Sequence, residues 1–226
     1  MKPLTRKAFI IIFCILLSAF ALLSKYEDRQ ALRSFDFSVT VRLQHVVNST
    51  THLRLASIVD TVMEGATFFA TPGFTIFVTI ILWSLLVYSH KIKKWQIRAF
   101  MIPVALLLLV LTEVYGKSVV AHPSPPFVMV KNPTTLFPKD YINEQFSFPS
   151  GHAARAVFLA IVTIITMQQY NNITMRKRWI IGAGLVAYVL LVSVSRIYLG
   201  HHWFSDVVGG VLLGGAWGAI GAAALW

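Results

Sequence analysis

Long runs of apolar residues, separated by short polar stretches, dominate the pattern along this chain. A run of about 20 apolar residues is long enough to cross the hydrocarbon core of a bilayer as a helix, so each run predicts a membrane span. Six runs are found, at residues 8–24, 66–89, 99–120, 152–170, 179–197 and 205–225. The pattern therefore predicts an all-α integral membrane bundle of six transmembrane helices.

Residues 26–65, between the first and second runs, follow a different pattern. Charged side chains alternate there with apolar ones such as Leu32, Phe35 and Val41. This alternation is typical of amphipathic helices that lie at a membrane surface, and we expect one or two of them here. The alternative is a solvated loop.

Composition supports the membrane interpretation over a soluble one. The 226 residues are 56% hydrophobic and 13% charged, whereas a soluble domain has about 25% charged residues. We therefore treat residues 1–226 as a single membrane-embedded domain. Cys14 is the only cysteine, which excludes an intrachain disulfide and a Cys-x-x-Cys metal site.

The formal net charge of +11 could indicate a nucleic-acid partner, but the positions of the basic residues suggest membrane topology instead. They gather at the N-terminus and in the loops after the second and fourth runs, which lie on one side of a six-span bundle. Short basic loops mark the cytoplasmic side, so both termini are predicted to be cytoplasmic and no nucleic-acid partner is expected. The residues are Lys2, Arg6, Lys7, Lys91, Lys93, Lys94, Arg98, Arg176, Lys177 and Arg178.

The first run has a second interpretation. A basic start, an apolar stretch and Ala19-Phe20-Ala21 also fit a cleavable signal peptide. Cleavage would leave the remaining topology unchanged, because the next segment is outside in either case.

Polar residues gather at the ends of the later runs, on the predicted non-cytoplasmic face. Ionisable groups at membrane depth are costly and usually mark function, so we expect a functional site on this face. Its candidates are Lys117, Ser150, Gly151, His152, Arg196, His202 and Asp206.

The residue types favour phosphoryl transfer. His202 and Asp206 are four residues apart and would share one face of a helix. The carboxylate could then fix the tautomer of the imidazole and leave its other nitrogen as a nucleophile. Lys117 and Arg196 would stabilise charge on phosphate oxygens. His152, at the start of a helix whose N–H groups suit an anion, could protonate the leaving oxygen.

These residues lie in motifs that resemble those of the type-2 phosphatidic acid phosphatase superfamily. The family's second motif, Pro-Ser-Gly-His, is unchanged at 149–152, and its third, Ser-Arg-x5-His-x3-Asp, is unchanged at 195–206. The resemblance implies a membrane phosphatase whose site faces outward and that uses no metal or cofactor. It also implies that His202 is the phosphohistidine nucleophile, Asp206 its orienting partner and His152 the acid and base. Phosphate oxygens would be held by Lys117, Ser150, Gly151 and Arg196.

The first family motif, Lys-x6-Arg-Pro, is altered. Counting from Lys117, the arginine position is Ser124, which has no charge. We consider Arg155 and Lys131 as possible replacements for the missing cation. The alternatives for Arg155 are snorkelling toward headgroups and pairing with a carboxylate such as Glu113. His122, in the same stretch, is more typical of a structural residue than of a substrate ligand.

The predicted function is a lipid phosphatase acting on phosphatidic acid, phosphatidylglycerophosphate or undecaprenyl diphosphate in a bacterial inner membrane. A phosphotransferase with an acceptor lipid is one alternative, and a non-catalytic lipid binder, suggested by Ser124, is another. A metal-ion or proton transporter is disfavoured because Lys117 and Arg196 would repel a cation. The vanadium haloperoxidases share the family's fold but are soluble. The sequence carries no signal for an oligomeric state.

Overall fold

The computed structural model of the protein describes residues 5–26, 29–49, 53–89, 98–131, 145–170 and 173–225. Regular structure in these ranges is helical, with one isolated bridge between Pro123 and Phe146 and a short 3-10 turn at Phe127–Met129. The described helices are α1 (Arg6–Tyr26), α2 (Gln30–Asn48), α3 (Leu53–Phe68), α4 (Pro72–Ser89), α5 (Met101–Val120), α6 (Gly151–Gln168), α7 (Met175–Tyr198) and α8 (Phe204–Leu225). The predicted all-α class is confirmed.

Helices α6 and α8 pack closely at the centre of the bundle. Gly210 and Gly214 on α8 face the backbone of Ser150 and Ala154, so a Cβ at either glycine would collide with main-chain atoms of α6. Small residues allow helices to approach in this way inside membranes. On another side of α8 lies α1, whose Phe20 stacks on Phe148 with ring centroids 5.5 Å apart.

Many large apolar side chains face outward from the bundle, as a bilayer requires. Examples are Ile15, Phe77 and Leu190, with 61%, 61% and 58% of their surface exposed. Five described helices are long and apolar enough to cross a membrane, and the count is six if the bent pair α3 and α4 forms one span. The five helices are α1, α5, α6, α7 and α8.

The second predicted span, residues 66–89, is wrong as a single helix. Helix α3 ends at Phe68 and helix α4 begins at Pro72. The axes of the two helices differ in direction by 55°. Thr71 and Pro72 explain the new start: Thr71 Oγ1 accepts a hydrogen bond from Phe74 N at 3.4 Å, and proline is favoured at the first position of a helix. The break leaves carbonyls without helical partners, and Arg155 Nε donates to the one at Ala70 at 3.0 Å.

The amphipathic segment forms two helices, α2 and α3, rather than a loop. Both pack against α7, and α2 also contacts α8. Lys131 connects these elements, because its Nζ lies 2.8 Å from Asn48 Oδ1, 3.3 Å from Asp60 Oδ1 and 2.5 Å from Tyr198 Oη. Their place at the membrane surface and the cytoplasmic position of the termini stay predictions. Lys2, Lys91, Lys93 and Lys94, on which the predicted orientation partly rests, lie outside the described residues.

Candidate active site

The C-terminal ends of α5 and α7 meet the N-terminal end of α6 around a cavity of about 380 Å³, which we call the phosphate cavity. Six of the predicted site residues line it, although they come from three separate parts of the sequence. These are Lys117, Gly151, His152, Arg155, Arg196 and His202. The fold thus brings cations, imidazoles and a helix N-terminus to one cavity.

The start of α6 is held against α8 by a main-chain hydrogen bond. Ser150 N donates to Asp206 O at 2.9 Å, and the buried Ser150 Oγ has no hydrogen-bond partner among the described residues. Gly151 begins the helix beside the Glu113 carboxylate, with which a Cβ would clash. A side chain at position 151 would therefore displace the Glu113 carboxylate. Backbone N–H groups at this helix end can face an anion.

His202 does not lie on a helix, so the predicted helical spacing from Asp206 is wrong. Helix α8 begins at Phe204, after a turn in which Gly200 has a φ of 70°. A side chain at Gly200 would also collide with the Met129 backbone. His202 N donates to Arg196 O at 3.2 Å, so the turn places the imidazole directly beyond the end of α7.

Asp206 is fully buried, and its carboxylate lies close to polar groups of Trp203, His202 and His122. Its Oδ2 accepts a hydrogen bond from Trp203 N at 2.7 Å and lies 3.6 Å from His202 Nδ1. Its Oδ1 lies 3.0 Å from Nδ1 of His122. The predicted pairing of Asp206 with His202 is present as a close approach rather than a short hydrogen bond. The role of His122 as a partner of this carboxylate was missed by sequence reasoning.

A second carboxylate on α2 supports the start of α8. Asp36 is buried and accepts hydrogen bonds from Ser205 N at 2.9 Å and Ser205 Oγ at 2.5 Å. Burial raises the pKa of Asp36 above its ordinary value, and the Ser205 hydrogen bonds oppose that shift. Burial, with a smaller contribution from the Arg196 charge, lowers the pKa of His201 to about 2, so His201 is neutral beside His202.

Glu113 also lines the phosphate cavity. Its Oε2 lies 2.7 Å from Arg155 Nη1, and its Oε1 lies 3.8 Å from Lys117 Nζ. Arg155 therefore pairs with the carboxylate that the sequence suggested as an alternative partner, while still lining the cavity. Its contact with substrate phosphate stays a prediction.

Ser124 and Lys131 do not line the phosphate cavity. Ser124 lines a second cavity of about 270 Å³, together with Asp36, His122 and Trp203. Lys131 belongs to the cluster between α2, α3 and α7 described above. Of the two cations considered as replacements for the missing arginine, only Arg155 is at the phosphate cavity.

Glu113 and His122 differ in the signal that the sequence gives for them. Glu113 stands in an otherwise apolar run, four residues before Lys117, and a buried acid there needs a partner. His122 offers no such signal, because it is 84 residues from Asp206 in sequence. The described residues contain no group of three or more His, Cys, Asp or Glu side chains arranged to hold a metal ion.

Known proteins resemble this chain in sequence and in fold. The PAP2 superfamily matches residues 98–226, which include every predicted site residue. An undecaprenyl-diphosphatase of Sulfolobus acidocaldarius is 39% identical over 92 residues, or 39% of this chain and 37% of that protein. Phosphatidylglycerophosphatase B of Bacillus subtilis is 38% identical over 71 residues, or 30% and 34% of the two chains. The matched segment thus spans about a third of these relatives.

A solved structure extends the likeness to most of the fold. The transmembrane PAP2-type phosphatidylglycerolphosphate phosphatase of Bacillus subtilis superposes with a TM-score of 0.68 and covers 91% of both chains. Sequence identity is 20%, so this similarity concerns the fold alone. It includes the helices before residue 98, which the family match does not cover.

Proposed function

The chain belongs to the PAP2 superfamily, and from this premise we propose that it is an integral membrane lipid phosphatase that works through a phosphohistidine on His202, without a metal or cofactor. The observation that carries the proposal is the phosphate cavity itself. Two cations, Lys117 and Arg196, line it together with the histidines His152 and His202. Such a set can bind a phosphoryl group and transfer it.

The nucleophile follows from the geometry around Asp206. Because Nδ1 of His202 is the nitrogen that lies 3.6 Å from the carboxylate, Nε2 is the nitrogen left to attack phosphorus. Asp206 would hold the Nδ1 proton and stabilise the positive charge that forms on the ring during attack. The bond from phosphorus to the leaving oxygen breaks as the bond to Nε2 forms.

His152 would act on the other side of phosphorus. It lines the same cavity as His202 and would protonate the leaving oxygen, then remove a proton from the water that hydrolyses the phosphohistidine. Lys117, Arg196, Ser150 Oγ and the N–H of Gly151 would bind the phosphate oxygens, where charge accumulates in the transition state.

An apolar cavity of about 350 Å³ supports a lipid as the substrate. It lies between α4 and α5 and shares Pro72, Val110 and Arg155 with the phosphate cavity. We call it the chain cavity. An acyl or isoprenyl chain could lie there while its phosphate reaches His202. The names of the relatives support phosphatidylglycerophosphate and undecaprenyl diphosphate as candidate substrates, beside phosphatidic acid.

The site would face the periplasm or cell exterior. The basic segments that mark the cytoplasmic side are separated by one span from the ends that carry Lys117, His152, Arg196 and His202. A lipid phosphate would therefore be hydrolysed in the outer leaflet.

Phosphate release by the detergent-purified protein tests the proposal. The substrates are phosphatidic acid, phosphatidylglycerophosphate and undecaprenyl diphosphate, each with EDTA present. We expect release by the wild type and a loss of at least about 10⁴-fold in His202→Ala, because removal of a nucleophile abolishes its covalent step. His201→Gln is the matched control and should retain release.

Trapping the intermediate completes the test. Acid-labile, base-stable radiolabel on wild-type protein after a rapid quench, and its absence from His202→Ala, would support the phosphohistidine. Release only when an acceptor lipid is added would favour a phosphotransferase. No release from any substrate, with lipid binding retained, would favour a binder and contradict the proposal.

A further inference from the structure

We infer that Glu113 makes this site selective for lipid phosphate monoesters over lipid diphosphates, by lowering the positive charge where a second phosphate would lie. This inference rests on the proposed phosphatase function and deepens it. It assigns a role to a buried carboxylate that the transfer of phosphate to His202 does not use.

The first step concerns the position of Glu113. It lies on α5, one turn before Lys117, with only 7% of its surface exposed. Its carboxylate lies between Arg155 Nη1 at 2.7 Å and Lys117 Nζ at 3.8 Å, and it contacts the first residue of α6. It therefore has the partners that a phosphate oxygen would have: two cations and the N-terminus of a helix.

The second step is the charge of the phosphate cavity. The described charged residues that line it are Lys117, Arg155, Arg196 and Glu113. The histidines gain and lose protons during the reaction, so they are left out of the count. The other three positive charges and one negative charge sum to a formal charge of +2. A phosphate monoester has close to two negative charges at neutral pH, and a diphosphate has about one more. Glu113 thus matches the cavity to the monoester.

The third step is where the extra charge of a diphosphate would lie. Its second phosphate stands between the reacting phosphate and the lipid chain, so it must lie where the phosphate cavity meets the chain cavity. Arg155 lines both cavities, and Glu113 is its ion-pair partner. A second phosphate there would meet a carboxylate with little water to screen it, and repulsion between buried like charges is strong.

A purely structural role for Glu113 predicts something different. Arg155 is buried, and an arginine that loses its ion-pair partner in such a place is destabilising. If Glu113 served only to pair Arg155, its loss would weaken the fold or slow both substrate classes alike. The ratio of the two activities therefore separates selectivity from stability.

The experiment compares farnesyl phosphate with farnesyl diphosphate, which share one chain. Initial rates of phosphate release give kcat/KM for each substrate. We expect the wild type to favour the monophosphate and Glu113→Gln to raise the diphosphate-to-monophosphate ratio at least about tenfold. Glu113→Asp keeps the charge and should remain within about threefold of the wild-type ratio. Glu64→Gln on α3 is the matched control outside the cavity and should leave the ratio unchanged.

A double variant tests whether charge is the cause. The double variant Glu113→Gln/Arg155→Gln removes one negative and one positive charge, so the formal charge of the cavity equals that of the wild type. We expect its diphosphate-to-monophosphate activity ratio to return to the wild-type value as well. Arg155→Gln alone should lower the ratio. An unchanged ratio in Glu113→Gln, or equal shifts in Glu113→Gln and Glu113→Asp, would overturn the inference.

If Glu113→Gln does not fold, or if the wild type shows no turnover, the inference can still be tested by the binding of simple anions to the wild-type protein. Thermal stabilisation of wild-type protein by inorganic phosphate and by pyrophosphate reports their affinities. We expect phosphate to bind more tightly, and tighter binding of pyrophosphate would overturn the role of Glu113. Absence of turnover on all lipids would count against the proposed function, whereas turnover with an unchanged ratio would count against Glu113 alone.

Discussion

Two buried carboxylates, Glu113 in the wall of the phosphate cavity and Asp206 behind His202, have different kinds of partner. Asp206 is surrounded by two imidazoles, His122 and His202, and by the Trp203 N–H. Glu113 is surrounded by the cations Arg155 and Lys117. Both side chains are almost inaccessible, with 0% and 7% of their surface exposed for Asp206 and Glu113. Burial alone therefore does not decide what a carboxylate does here.

The groups around each carboxylate determine its role. A carboxylate beside an imidazole holds the ring in one tautomer and stabilises its charged form, so it acts on the chemical step. A carboxylate between two fixed cations cancels part of their charge, so it acts on which anion binds. We expect substitutions at Asp206 to slow the hydrolysis of all substrates. Substitutions at Glu113 should instead change the ratio of diphosphate to monophosphate hydrolysis.

The largest effect is expected from Asp206→Asn. The amide keeps the shape of the side chain but offers neither charge nor a second acceptor, and the same change in a Ser-His-Asp triad costs about 10⁴-fold in kcat. We expect a loss of about 10³- to 10⁴-fold on farnesyl phosphate and farnesyl diphosphate alike, measured as initial phosphate release. Asp60→Asn, at the Lys131 cluster, is the control for loss of an acid elsewhere. A changed substrate ratio in Asp206→Asn would remove the contrast with Glu113.

An intermediate effect is expected from His122→Ala. It would leave Asp206 Oδ1 without its 3.0 Å partner, and an unsatisfied buried acceptor costs about 1–3 kcal/mol. If that cost falls on the transition state, kcat should fall about tenfold, with little change in KM. His122→Gln, which retains a donor, should recover part of the loss. Equal activity of the wild type and His122→Ala would show that His202 and Trp203 suffice to hold Asp206.

The smallest effect is expected from Ser124→Ala. Ser124 stands at the family's arginine position, but its side chain lines the second cavity rather than the phosphate cavity. We expect less than about a threefold change in kcat/KM on either substrate, in line with the loss of a weak polar contact. A tenfold loss would mean that Ser124 reaches the phosphate after all, and that the altered first motif still binds substrate.

Local pattern was sufficient to predict most of the helices. A run of about 20 apolar residues predicts a span by itself, and α1, α5, α6, α7 and α8 lie close to the predicted ranges. The second span failed because hydropathy does not register a change of direction. Thr71 and Pro72 signalled the new helix, yet the apolar run continues through them.

The candidate site shows the same division between local and distant information. Contiguous motifs identified His152, Arg196, His202 and Asp206, and the phosphate cavity brings three of these together with Lys117. The helical relation of His202 to Asp206 was wrong because a turn at Gly200 precedes α8. His202 and Asp206 are still close in space, with 3.6 Å between Nδ1 and Oδ2. A tight turn before α8, and not the spacing of residues along a helix, brings them together.

Sequence alone was enough for the membrane class, the helical architecture and the residues of the chemical motifs, because each depends on residue types at short spacing. Tertiary packing alone determined that His122 lies beside Asp206 and that Ser124 lines another cavity. It also selected the pairing of Arg155 with Glu113 from the alternatives that the sequence left open. These pairings join α5, α6, α8 and the segment after α5 across as many as 84 residues. They depend on how closely the helices approach, and so on the glycines between α6 and α8, which no pairwise spacing in the sequence encodes.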